Sequence, residues 1–218
     1  MKDIELFAFD LDGTLLDTAP DFFKSVNILR QKYNLDKADY VQVRSLVSQG
    51  AASLAAYALE LKSDETEAIE FHRQELLEIY EEWCLNATKP FDGVDTLLAK
   101  LNEKQIKWGI VTNKPRKFAE KIVINKLDKH NPPFLVCPDD VGARKPEPDG
   151  LIQALKISNT NSKNSIYIGD HRIDIEAGKN AKMITGAAAY GYIPLEDDAN
   201  NWGAKYIFLH AKEIETLT

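Results

Sequence analysis

The chain's 218 residues are 44% hydrophobic and 28% charged, which suits one large domain, or a domain with a sizeable insert, built around a proper core. Its formal net charge is 27 − 34 = −7 with no basic block, which argues against a nucleic-acid partner, because phosphate backbones are held by clustered Lys and Arg. No apolar run approaches the roughly 20 residues of a membrane helix, the charged start Met1-Lys2-Asp3-Ile4-Glu5 does not read as a signal peptide, and Cys84 and Cys137 form no CxxC, so a cytoplasmic protein with reduced thiols is expected.

Residues 4–9 are almost wholly apolar and lead into a Gly turn, the pattern of a strand buried on both faces. Asp10-Leu11-Asp12-Gly13-Thr14 is a polar loop, and Pro20 stands near the first turn of a helix running to about residue 33. From about Val41 to Trp83 nothing alternates like a strand. Helical stretches are expected around Val43, Leu46 and Val47, then over 51–61, then over 66–83, where a Glu-rich face reads as solvated surface. Beyond Pro90 the texture changes to alternation. Helices are expected at 93–103, 115–127, 148–156 and 174–180, and strands at 107–111, 134–137, 165–169, 183–188 and 205–208. Alternating β and α units imply a parallel sheet covered by helices on both faces. The expected fold class is therefore α/β, a Rossmann-like parallel-sheet core of residues 1–16 and 87–218, interrupted by a helical insert at 17–86.

Ligands of open α/β sheets bind outside the carboxyl ends of the strands, so the polar residues that follow each strand are the candidates. The first strand ends in Asp10-x-Asp12, the second in Thr112-Asn113-Lys114, and the strand at 165–169 in Asp170, with Asp174 four residues on. Ala143-Arg144-Lys145-Pro146 follows the short strand at 134–137. Any one of these acids is an ordinary loop residue, but four at strand exits, with a Thr and lysines between them, are not. Crowded carboxylates repel, and burial strengthens the repulsion. A hard dication relieves it, and Mg²⁺, which takes one or two carboxylates and keeps its waters, suits so spare a set. Such a site neutralises an anion, and a phosphoryl group is the obvious one.

Asp10-Leu11-Asp12-Gly13-Thr14-Leu15, Val111-Thr112-Asn113, Lys145-Pro146 and Gly169-Asp170-x-x-x-Asp174 resemble, in order and over nearly the whole chain, the four motifs of the haloacid dehalogenase-like hydrolase superfamily. Within it the chain resembles the phosphoglycolate phosphatase-like branch, whose helical cap follows the first motif; residues 43–50 are similar to that branch's cap segment. The resemblance implies a Mg²⁺-dependent phosphatase working through an aspartyl-phosphate. Asp10 becomes the nucleophile and Asp12 the acid and base. Thr112, Asn113 and Lys145 become phosphoryl contacts, and Asp10, the Asp12 carbonyl, Asp170 and Asp174 the metal ligands. Asp12 discriminates further: true dehalogenases of this superfamily lack an acid there and the transport ATPases carry Thr, whereas phosphatases and some phosphomutases carry Asp.

The remaining polar residues divide between roles. Arg44 either clamps a substrate carboxylate or makes a salt bridge, and Lys114 either faces the phosphate or lies along the helix start. His171 is expected to be a solvent-facing loop imidazole. His72, His130 and His210 show no partner pattern, and Trp83, Trp108 and Trp202 read as packing. A phosphomutase on the same fold would share every core motif. A phospho-acceptor receiver domain would carry its acidic pair after the first strand and would have no place for the insert. The implied partner is a small phosphorylated metabolite, for a monomer or homodimer. Residues 18–22, 136–139, 190–197 and 202–204 are similar to the N-acetylmuramic acid 6-phosphate phosphatases of bacterial cell-wall recycling, which sets that sugar phosphate beside phosphoglycolate as the expected substrate.

Overall fold

The computed structural model describes residues 4–218; Met1, Lys2 and Asp3 of the charged start lie outside the described residues. The strands are β1 (Leu6–Phe9), β2 (Leu16–Asp17), β3 (Lys89–Pro90), β4 (Lys107–Val111), β5 (Leu135–Val136), β6 (Ser165–Gly169), β7 (Ile184–Ala188) and β8 (Tyr206–Phe208). The helices are α1 (Ala19–Lys32), α2 (Tyr40–Leu46), α3 (Ala51–Ala58), α4 (Thr66–Trp83), α5 (Val94–Glu103), α6 (Arg116–Lys126), α7 (Pro138–Val141), α8 (Asp149–Ser158) and α9 (Arg172–Asn180). Contacts divide the chain into two compact units, Met1–Asp17 with Pro90–Thr218, and Thr18–Lys89.

In the first unit six strands form one sheet in the order β5-β4-β1-β6-β7-β8, with every neighbouring pair parallel. β1 is apolar at every position because it lies in the sheet's interior between β4 and β6, with all four side chains buried. Leu6 and Ala8 of β1 share a core cluster with Val111, Val136 and Tyr167 of the neighbouring strands and with Leu151 of α8, so α8 covers one face of the sheet. β2 and β3 form a separate two-stranded sheet that the sequence pattern did not announce, since two residues carry no periodicity.

Of the element ends that differ from expectation, three have a clear local reason. The helix expected over 51–61 stops at Ala58, because Glu60 adopts a left-handed φ of 57°. The strand expected over 134–137 shortens to Leu135–Val136, because the Cys137 N–H donates to Asp140 Oδ2 (2.7 Å) and opens the short α7 instead. The helix expected over 174–180 starts earlier, at Arg172, with His171 as its N-cap.

The second unit is built from the helices α1 to α4. α1 buries Phe22, Val26 and Leu29, and Phe22 stacks on Tyr80 of α4 with ring centroids 3.9 Å apart. Asp21, in the first turn of α1, is buried and accepts hydrogen bonds from Ala87 N (2.8 Å), Thr88 N (2.9 Å) and Thr88 Oγ1 (2.7 Å). Among the described residues no helix is long and apolar enough to cross a membrane.

Candidate active site

Parallel register brings the strand exits to one level. Phe9 pairs with Ile110 of β4 and Ile168 of β6, and the Asp10 N–H continues the ladder to Ile168 O at 2.9 Å. The residues that directly follow the ends of β1, β4 and β6, namely Asp10, Thr112 and Asp170, therefore leave the sheet along one edge.

Asp10 is 7% exposed. Its Oδ1 accepts from Leu11 N (2.8 Å) and is paired with Lys145 Nζ (2.9 Å). Its Oδ2 receives no hydrogen bond from the described residues. Burial pushes the Asp10 carboxyl up to about 6, with Lys145 pulling it back and Asp174 and Asp12 adding to the rise. Asp12 is paired through both carboxylate oxygens with Lys114 Nζ, at 3.0 and 3.2 Å. Thr112 is buried, and its hydroxyl oxygen accepts the Lys114 N–H at 3.2 Å.

Lys145 is held from two directions. Its main chain is gripped by the Asn113 side chain, whose Nδ2 donates to Lys145 O (3.1 Å) and whose Oδ1 accepts from Lys145 N (2.8 Å). Its buried ammonium reaches Asp10 Oδ1 (2.9 Å), Asp174 Oδ1 (2.7 Å) and the Tyr167 hydroxyl (2.8 Å). Burial alone would lower this ammonium, but Asp10 and Asp174 together outweigh burial and hold it above its ordinary range.

Asp170 and Asp174 are fully buried. Asp170 Oδ1 accepts from Thr14 Oγ1 (3.2 Å) and Oδ2 from Tyr192 N (2.8 Å). This close embrace explains two glycines. A Cβ on Gly13, whose φ is +76°, would overlap the Asp170 carboxylate, and a Cβ on Gly191 would overlap Gly13 O and Asp170 Cβ. Asp174 Oδ2 accepts the His171 N–H at 3.0 Å, and His171 Nδ1 accepts from Ile173 N at 3.3 Å. His171 is thus a helix cap and not the solvent-facing imidazole expected, and burial lowers its pKa.

The expected residues Asp10, Asp12, Thr112, Asn113, Lys145, Asp170 and Asp174 all lie in the first unit; contacts join Asn113, Lys145, Asp10 and Asp174 in one set and Asp12, Lys114 and Thr112 in another, while Asp170 is held by Thr14 and Tyr192, and Arg44 lies on α2 of the second unit. Sequence reading missed Tyr167, which in an apolar strand looks like core, and the Tyr192 N–H, a main-chain donor that no side-chain pattern marks. One carboxylate oxygen each from Asp10, Asp170 and Asp174 lies within 4.8 Å of the others. Formally, Lys114 and Lys145 set against Asp10, Asp12, Asp170 and Asp174 give 2 − 4 = −2, the charge one dication balances. All-oxygen donors and that deficit fit Mg²⁺.

The family model described as Haloacid dehalogenase-like hydrolase matches residues 7–188. The chain is 41% identical over 218 residues to the N-acetylmuramic acid 6-phosphate phosphatase of Pseudomonas aeruginosa, covering 98% of this chain and 95% of the relative. It is 35% identical over 197 residues to a phosphoglycolate phosphatase of Xanthomonas campestris, covering 90% and 88%. The crystal structure of a predicted phosphoglycolate phosphatase from Haemophilus somnus superposes with a TM-score of 0.86 at 24% identity, covering 100% of this chain and 99% of that one, a likeness of fold.

Proposed function

Because the chain belongs to the haloacid dehalogenase-like hydrolase family, and is a phosphatase of it, we propose that it hydrolyses N-acetylmuramic acid 6-phosphate through a phospho-Asp10 intermediate. The observation that carries the mechanism is Asp10 itself, a buried carboxylate with one oxygen held and the other open. Leu11 N and Lys145 fix Oδ1, so Oδ2 is the attacking atom. It forms the O–P bond in line with the departing sugar oxygen, which takes a proton from Asp12 as the P–O bond to it breaks. Asp12 then removes a proton from water, the water oxygen attacks phosphorus, and Asp10 leaves as a free carboxylate. Lys114 keeps Asp12 oriented through both oxygens. Thr112 and Lys145 bind the phosphoryl oxygens, and Asn113 acts on Lys145. Asp10, Asp170, Asp174 and the Asp12 carbonyl would hold Mg²⁺, which supplies charge neutralisation at the phosphoryl group.

The core residues grip only phosphate, so the leaving group must be read elsewhere. Residues 18–89 are assigned that role as a cap that excludes water during the first half-reaction, with Arg44 its candidate contact to a substrate carboxylate. Both candidate substrates carry a carboxylate, so the presence of Arg44 alone does not choose between them. The choice rests on the relatives: 41% identity across nearly the whole chain for the sugar phosphatase against 35% for phosphoglycolate phosphatase. Steady-state kcat/KM on both substrates tests it, with Asp10→Asn as the inactive control. A preference of more than about tenfold for phosphoglycolate, worth roughly 1.4 kcal/mol of transition-state binding, would overturn the sugar assignment.

A further inference from the structure

The Lys145 ammonium has three protons and three acceptors: Asp10 Oδ1 at 2.9 Å, Asp174 Oδ1 at 2.7 Å and the Tyr167 hydroxyl at 2.8 Å. Two of the three are carboxylates of the site; the third, Tyr167, is neutral, fully buried and rooted in β6. Its hydroxyl lies 2.8 Å from Val111 O, where it donates, at the end of β4 and directly before Thr112. The lysine sits 5.4 Å from the centroid of the same ring. The main chain of Lys145 is clamped separately, by both ends of the Asn113 side-chain amide.

We propose that Tyr167 and Asn113 are positioning residues that lock Lys145 onto the reacting centre. Asn113 fixes where the lysine stem begins, and Tyr167 with Asp174 fixes two of its three protons. The third proton is then aimed at Asp10, where a phosphoryl group would join. A lysine free to turn would not keep that third proton at the phosphoryl position. A locked one meets the phosphoryl oxygens without reorganising, which is where preorganised donors contribute to rate. Asn113 is therefore occupied with Lys145 and is not primarily a substrate contact. The inference rests on the phosphatase reading above.

The test compares wild type, Tyr167→Phe, Asn113→Ala and the double variant on N-acetylmuramic acid 6-phosphate, phosphoglycolate and p-nitrophenyl phosphate with Mg²⁺, with circular dichroism melts as the check on folding. On whichever substrate turns over best, each single variant is expected to lose on the order of 10–100-fold in kcat, the scale of a misplaced catalytic group, with KM within about twofold. The double variant is expected to lose less than the product of the two single losses, because both act through one lysine. Asn113 is partly exposed, so Asn113→Ala keeps the test alive if Tyr167→Phe fails to fold. A folded variant with kcat within about twofold of wild type, or one whose loss lies in KM, would overturn the lock. A wild type inactive on all three substrates would instead remove the phosphatase reading.

Discussion

Asp10 is placed where an ionised carboxylate is expensive. Burial drives its carboxyl up to about 6 and Lys145 recovers only part of the shift, whereas the unfolded chain keeps the ordinary value of 3.8. Between those values the folded chain holds a proton that the unfolded chain has released. Stability therefore falls as pH rises through that window, and the loss persists above it. Asp10→Asn removes the penalty while keeping the shape, so in chelator at about pH 7.5 it is expected to be more stable than wild type by up to about 3 kcal/mol, at roughly 1.4 kcal/mol per pKa unit. The difference should close toward about pH 4, where wild-type Asp10 is also neutral. Melts across that range read it directly. A variant less stable than wild type at the upper pH would mean that the pairing with Lys145 outweighs burial. The same residue thus joins function to instability: activity needs the charge that the fold resists.

At the scale of elements, Asp21 shows how a short contact ties distant pieces of chain. It stands in the first turn of α1 yet takes three hydrogen bonds from Ala87 and Thr88, which follow α4. Asp21→Ala would leave three donors without their acceptor in a place that is 1% exposed, so a loss of about 2–4 kcal/mol is expected by chemical denaturation. A loss below about 1 kcal/mol would mean that water replaces the carboxylate. Nothing in the pattern around Asp21 announces this, because the partners are 66 and 67 positions away. By contrast β1, β4 and β6 were legible, since each is an apolar run and each is followed at once by a polar residue. That adjacency also made Asp10, Thr112 and Asp170 readable as one edge. The sequence does not say which lysine meets which aspartate. Lys114 lies two residues from Thr112 but closes on Asp12, and Lys145 reaches both Asp10 and Asp174, pairings set by tertiary register. Tyr167 and the short α7 were hidden for a related reason: a single hydroxyl in a strand and a four-residue helix leave no periodic trace.

Across the whole molecule the charge is −7, and the formal charge of the site, −2, repeats that sign inside the first unit. The three carboxylates gathered there come from residues 10, 170 and 174, so holding one cation ties the beginning of the chain to its last third. Binding that favours the folded state stabilises it by mass action, about 2.7 kcal/mol at a hundredfold excess over Kd. Mg²⁺ is therefore expected to raise the melting temperature of the chelator-treated protein and to restore turnover together. Asp170→Asn is expected to shift both responses to higher Mg²⁺, since it removes one of the gathered charges while keeping an oxygen and the shape. Ca²⁺ separates the two effects. It also binds oxygen ligands but accepts more of them at looser geometry, so it can occupy both oxygens of Asp10 and withdraw the one that attacks. It is expected to raise the melting temperature and to inhibit turnover in the presence of Mg²⁺. Parallel melts and rates over both cations decide the matter: full activity in excess chelator, or a melting temperature indifferent to either ion, would remove the metal from the reading, whereas stabilisation by Ca²⁺ without turnover places the requirement at the attacking oxygen.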